Sequence, residues 1–309
     1  MNRKEFLATT MLGAAATRYD FLLGNQRAFP EPYEPFRNTF NLNYAPKISM
    51  FKNLAGPELL DQLRFIKETG FSGITDDGMG RRPIEEQKKI GQALERLNLR
   101  MGVIGGHKYF WDKPQMVLGD QDVNDSFLSE LKSTIEVAKR VNATWLTIMP
   151  GMLNLRMESG YQTANVIEIL KKASGVLEPH NLVMVLEPVN RNYPGLFLTT
   201  ISQAYSICKA VDSPSCKILN DLYHQQITEG NLIHNIDKAW DQIGIFQVGD
   251  NPGRNEPFTG EINFKNIFRH LHQKGYDGLI GMEHGQSIPG KDGEQAIIDA
   301  YLKADNFKD

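Results

Sequence analysis

Four residues in this chain combine an oxygen-bearing side chain with a shared position. Glu187, Asp221, Gln247 and Glu283 each follow directly on a short apolar run: LVMVL, CKILN, IGIF and GLIGM. Short, continuous apolar runs of this kind read as parallel strands covered on both faces. If the strands lie parallel around one barrel, their carboxy-terminal ends face the same rim, so the four side chains converge despite their distance in sequence. Three carboxylates and one amide suit a hard divalent cation, Mg²⁺ or Mn²⁺, better than a thiolate or imidazole set would. Without a cation between them the carboxylates would repel one another, and some would take up protons.

Other polar residues fall near the same expected rim. His224 stands three residues after Asp221, where it could hydrogen-bond a substrate oxygen. Arg254 lies in the loop after Gln247 and could steady a substrate carboxylate or a developing enediolate; the alternative is an ion pair with Glu256 or Asp250. His107 ends the third expected strand and is a candidate for the pocket. Phe110 and Trp111 behind it could wall one side against the apolar face of a sugar, or pack in the core. Glu256 and Glu261 read as loop-fixing residues, and Asp76-Asp77 as a solvated turn.

The elements that must position these residues alternate about eight times. Strands are expected near 40–44, 71–75, 99–104, 144–149, 182–186, 216–220, 243–248 and 278–282. Between them run helical periodicities, for example at 84–97, 166–177, 201–211, 232–240, 264–274 and 294–304. Strand starts recur at the pitch of a βα unit, which favours a single closed (β/α)₈ TIM barrel, an α/β fold, over an open doubly wound sheet. The first strand is not followed by the glycine fingerprint of a dinucleotide fold. The 309 residues, 41% apolar, suffice for one such domain over 26–309.

A formal charge of −3 and the lack of a basic stripe argue against nucleic acid or an anionic membrane as partner. A small sugar or hydroxy-keto acid is the expected partner, and the sequence leaves a homo-oligomer open. The two cysteines, Cys208 and Cys216, read as buried apolar residues rather than a disulfide. Residues 1–25 carry a basic start, an apolar middle and small residues at Ala14–Ala16, the layout of an export signal, with Arg3-Lys4 resembling a twin-arginine motif. A periplasmic location follows if it acts so; an amino-terminal helix on the barrel of a cytoplasmic protein is the alternative.

The segments LVMVLEPVN, KILNDLYHQQ, IFQVGDNPGRNEPFTGEINF and GYDGLIGMEHG resemble hydroxypyruvate isomerase and, more broadly, the xylose-isomerase-like TIM-barrel superfamily of sugar isomerases and epimerases. The resemblance implies metal ligands at Glu187, Asp221, Gln247 and Glu283, substrate contacts at His224 and Arg254, and proton transfer by Glu187 and Glu283. Gln247 stands where ketose 3-epimerases usually carry histidine, and PVNRNYPG after Glu187 lacks their extra glutamate. The first departure moves the resemblance toward hydroxypyruvate isomerase, and the second speaks against a ketohexose epimerase. The expected reaction is a metal-dependent isomerisation or epimerisation of a small hydroxy-carbonyl compound through an enediolate. The alternatives are a keto-sugar lyase or dehydratase of the same fold, or a sugar-binding barrel without catalysis. An endonuclease on damaged DNA is disfavoured, since such sites are richer in histidine ligands and need a basic groove.

Overall fold

The computed structural model describes residues 40–307. The export-signal reading of residues 1–25 falls outside them. The strands are β1 (Asn43–Pro46), β2 (Gly73–Ile74), β3 (Arg100–Met101), β4 (Val103–Gly105), β5 (Trp145–Ile148), β6 (Val183–Leu186), β7 (Cys216–Asp221), β8 (Ile243–Val248) and β9 (Leu279–Met282). Seven of them form one parallel sheet in the order β1-β9-β8-β7-β6-β5-β4, and β2 pairs with β3. The ring closes through a parallel Lys47–Thr75 bridge and through Ser72 and Thr75 amides donating to Tyr44 and Pro46 carbonyls, each at 3.0 Å. Strands β3 and β4 are two halves of the third barrel strand, interrupted at Gly102, whose N–H donates to the Ile74 carbonyl at 2.7 Å. With that pair counted as one, eight positions make a TIM barrel, as the alternation predicts.

Ala45, Val103, Val185, Leu219, Ile245 and Leu279 fill the barrel interior, so it is a packed core and not a pore. A larger apolar layer lies between the strands and the surrounding helices, among them α1 (Ile84–Leu97), α2 (Ser159–Leu177), α3 (Ile201–Val211) and α4 (Phe264–Gln273). Cys208 on α3 and Cys216 on β7 are buried free thiols 3.9 Å apart.

Two local features bear on the site. A register shift between Ile218 and Leu219 moves β7 by one residue against β8: Ile218 pairs with Ile243, but Asp221 pairs with Gln247. Without that bulge Asp221 would stand level with Phe246, and the two oxygen donors would lie on opposite faces of the pleat. The second feature corrects the expected first strand, which begins at Asn43 and not at Phe40. The carboxylate of Asp305, at the end of the last helix (Gly290–Asp305), accepts hydrogen bonds from the Asn41 and Leu42 amides and from the Tyr44 hydroxyl, so 41–42 are held by a side chain instead of a ladder. Asp305→Ala strands these buried donors and should cost about 2–4 kcal/mol, read as a lowered unfolding midpoint; an unchanged midpoint would refute the role.

Candidate active site

The sheet delivers Glu187, Asp221, Gln247 and Glu283 to one end of the barrel. Each sits at or just past the carboxy-terminal end of its strand, β6 to β9. Glu187, Gln247 and Glu283 line a cavity of about 210 Å³ at the barrel mouth, together with His224 and Arg254. Asp221 lies beneath Arg254: its Oδ2 receives Arg254 Nη2 at 2.6 Å, while its Oδ1 caps the following helix by accepting the Tyr223 amide at 2.9 Å. Arg254 also donates from Nε to the Glu283 carbonyl at 3.1 Å. The Arg254 guanidinium is therefore committed to the barrel wall, not to the Glu256 or Asp250 alternative. Those two residues instead build its loop. Buried Asp250 accepts the amides of Asn251, Gly260 and Ile262, and Glu256 accepts both the amide and the hydroxyl of Ser287.

The electrostatics are those of crowded carboxylates. Burial, then Asp221, Asp77 and Glu283, pushes the Glu187 carboxyl well above its ordinary range. Burial opposes the Arg254 charge, but Asp221, Glu283 and Glu187 outweigh it and raise its pKa. Lys47, at the end of β1, places Nζ 2.6 Å from Glu283 Oε1.

Two oxygens in this group are buried with no hydrogen-bond partner: Gln247 Oε1 and Glu283 Oε2. A buried acceptor left unpaired costs about 1–3 kcal/mol, and a cation is the partner that acceptor-only groups call for. Glu187, Asp221 and His224 also offer atoms that all lie within 4.8 Å of one another, a grouping able to hold a metal ion. The role of the imidazole in that group follows from its neighbour. Asn190 Oδ1 accepts the Asn192 amide at 3.0 Å, which turns its Nδ2 toward His224 Nδ1 at 2.7 Å. The Asn190 amide donates there, so Nδ1 of the neutral ring is the acceptor and Nε2 carries the proton. Burial, against the pull of Asp221, keeps this histidine's pKa low and the ring neutral. Its Nε2–H faces Glu187 Oε1 at 3.5 Å and Asp221 Oδ2 at 3.6 Å as a donor. The residues present thus fit a cation held by oxygens, with His224 beside it.

His107 does not line the cavity, a correction to its expected place. Its Nε2 accepts the Met149 amide at 3.3 Å, its ring is wedged edge-on between Tyr109 and Phe127, and burial lowers its pKa to about 4. It supports the wall from behind. His107→Ala should therefore cost about 1–3 kcal/mol of stability with KM nearly unchanged; a large rise in KM in a stable variant would restore it to the substrate site.

Trp111 reaches the cavity and Phe110 does not, being covered by Lys108 and Lys113. Asp76 is a turn residue, paired with Arg82 and accepting the Gly78 amide. Asp77, in the same turn, opens onto the cavity, where desolvation first and Glu283 second raise its pKa. Sequence reading took Asp77 for part of a solvated turn and missed Lys47 and Tyr193. Asp77 and Lys47 both follow strand ends, the signal that served for Glu187, but neither is set off by a long apolar run.

A family profile described as xylose isomerase-like TIM barrel matches residues 63–303. The chain belongs to the xylose isomerase-like TIM-barrel family. Within it, the chain is a hydroxypyruvate isomerase-like member. It is 30% identical to the putative hydroxypyruvate isomerase of Homo sapiens over 245 residues, covering 76% of this chain and 88% of that one. It is also 30% identical to the hydroxypyruvate isomerase of Escherichia coli K12, covering 52% of this chain and 62% of the relative. Among solved structures, the E. coli 3-keto-D-glucoside 4-epimerase superposes with a TM-score of 0.68 at 22% identity, covering 86% and 99% of the two chains. At that identity the likeness speaks for the xylose isomerase-like fold alone.

Proposed function

We propose that this chain is an isomerase or epimerase of a small hydroxy-carbonyl compound, dependent on one divalent ion, Mg²⁺ or Mn²⁺, held by Glu187, Asp221, Gln247 and Glu283. The observation that carries the reading is the pair of unpartnered oxygens, Gln247 Oε1 and Glu283 Oε2, in a mouth that also holds Glu187. The activities for which the relatives are named support it. Bound there, the ion would supply Lewis-acid polarisation of the substrate's neighbouring carbonyl and hydroxyl oxygens. The protein's own groups move the proton. One of Glu187 and Glu283 takes it from the carbon next to the carbonyl, and the other returns it to the adjacent carbon or to the other face. Strands β7 and β8 separate their strands, so the two carboxylates approach from different sides of the mouth. Lys47 holds one Glu283 oxygen and leaves the other directed inward. His224 Nε2–H is the donor placed to steady the substrate oxygen on which charge develops.

Proton NMR in heavy water tests this, with hydroxypyruvate and keto-sugars offered to the Mn²⁺-loaded protein. Deuterium should enter at the carbon next to the carbonyl, in substrate and in a product of equal mass. No exchange with any of these compounds would sink the proposal. One observation favours a second reading, a lyase or dehydratase on keto-sugars. Asp77 is a further carboxyl in the cavity that a two-glutamate isomerisation does not need, and it could serve a departing group. Loss of water or an alcohol from the substrate would decide for it. Export to the periplasm, proposed from residues 1–25 alone, is tested by finding the processed chain in the periplasmic fraction.

A further inference from the structure

The mouth does not end at the carboxylates. A second cleft of about 490 Å³ adjoins the first, and the two share Trp111 and Tyr193 as lining. The rest of its lining is apolar: Met152, Pro194 and Leu196. Trp111 is 50% exposed and Tyr193 46%, with ring centroids 5.5 Å apart and planes at 40°. Large aromatics left open side by side over a polar floor have the form of a stacking platform for a flat ligand face.

The platform is built and held. Met152 and Leu196 bridge in antiparallel fashion, the Leu153 amide donates to the Gly195 carbonyl at 2.7 Å and the Phe197 amide to the Gly151 carbonyl at 3.0 Å. These bonds make a short ribbon behind the cleft. Gly195, at φ +88, leaves room for Met152: a Cβ there would meet Met152 Cε at 2.8 Å. The Tyr193 amide donates to the Asn190 carbonyl at 3.2 Å, so the residue that orients His224 also anchors the loop carrying the ring.

Charge narrows the ligand further. Arg254 is the one cation among the described residues lining the polar cavity, and it is already engaged by Asp221 and the Glu283 carbonyl. Lys47, just outside, is engaged by Glu283. Asp77 adds another carboxyl to the entrance. No lining cation is left to meet a substrate carboxylate, while Thr147 presents a buried, unpartnered hydroxyl to the cavity. A bound divalent ion, Arg254 and Lys47 together only balance the carboxylates of Glu187, Asp221, Glu283 and Asp77, so neutral hydroxyls suit such a floor better than an anion.

We propose that the substrate is a neutral glycoside-type compound: its hydroxy-carbonyl sugar unit occupies the polar floor, and a flat apolar group joined to that unit stacks on Trp111 and Tyr193 in the adjoining cleft. The placing of the reacting unit rests on the function proposed above; the subsite itself rests on the aromatic pair and the second cleft. An aryl group and the apolar face of a second sugar ring share this chemistry.

Binding to the Mn²⁺-loaded full chain tests the subsite, using methyl β-D-glucoside, phenyl β-D-glucoside, methyl β-cellobioside and hydroxypyruvate as probes. Phenyl β-D-glucoside, methyl β-cellobioside or both should bind at least tenfold more tightly than methyl β-D-glucoside. Tightening with the phenyl compound alone assigns an aryl group; tightening with methyl β-cellobioside assigns a second sugar. Trp111→Ala and Tyr193→Ala, at exposed positions, should each shrink the advantage toward onefold. A wild-type ratio near one, a ratio that survives both substitutions, or hydroxypyruvate binding more tightly than methyl β-D-glucoside would overturn the proposal. The glucoside probes have no carbonyl and do not react. Failure here therefore leaves the proton-exchange test standing, and failed exchange with an intact ratio removes the isomerase reading alone.

Discussion

Glutamine in place of Glu283, or of Glu187, leaves a folded barrel that turns over roughly 10²–10⁴-fold more slowly. The amide keeps the shape of the carboxylate and can still offer one oxygen to a cation, but it cannot accept a proton from carbon. Loss of turnover with metal content preserved therefore separates proton transfer from ligation. The stability side has the opposite sign at Glu187. Burial and the surrounding carboxylates raise its pKa in the folded protein, so folding favours its protonated form. In metal-free protein that contribution is complete below the ordinary carboxylate pKa and is lost as the pH rises through the raised one. Glu187→Gln cannot ionise, so the metal-free variant should lose less stability than wild type across that rise. Turnover by stopped assay and midpoints by circular dichroism, read in parallel, check both. Near-normal rates in either variant would remove the proton-transfer roles.

Stripping divalent ions with EDTA should bring activity to background, and Mn²⁺ or Mg²⁺ should restore it. The same additions should raise the unfolding midpoint, because an ion that binds only the folded protein stabilises it by about 2.7 kcal/mol at a hundredfold excess over its Kd. The midpoint is the more direct readout, since it follows ligation without requiring the right substrate. The reason for expecting it lies in Gln247 Oε1 and Glu283 Oε2, which have no donor, and in the Glu187 carboxyl, which burial and its neighbours strain toward protonation. Full activity in a demonstrably metal-free preparation would contradict the metal requirement.

Much of this site was readable because parallel strands in a barrel share one direction. An oxygen donor immediately after LVMVL or GLIGM must lie at the rim, whatever the details between. That rule carried Glu187, Asp221, Gln247 and Glu283 and the eightfold architecture. It misplaced His107, because a strand end fixes which rim a residue reaches but not the direction its ring turns. Here Tyr109 and Phe127 capture the ring behind the wall. Asp77 was read as a solvated turn residue because β2 is only two residues long, and the turn after it looks like any charged turn until Glu283 is set beside it.

The order of apolar runs and polar stops along the chain, a local and one-dimensional property, determined the fold and the inventory of oxygen donors. Only the folded arrangement decided that a one-residue slip after Ile218 brings Asp221 level with Gln247, that Lys47 and Arg254 are taken up by the carboxylates, and that Trp111 and Tyr193 stand together over a second cleft. Register, ion pairing and ring contact are set by side chains meeting across the barrel. The sequence spacing of those side chains carries no trace of such encounters.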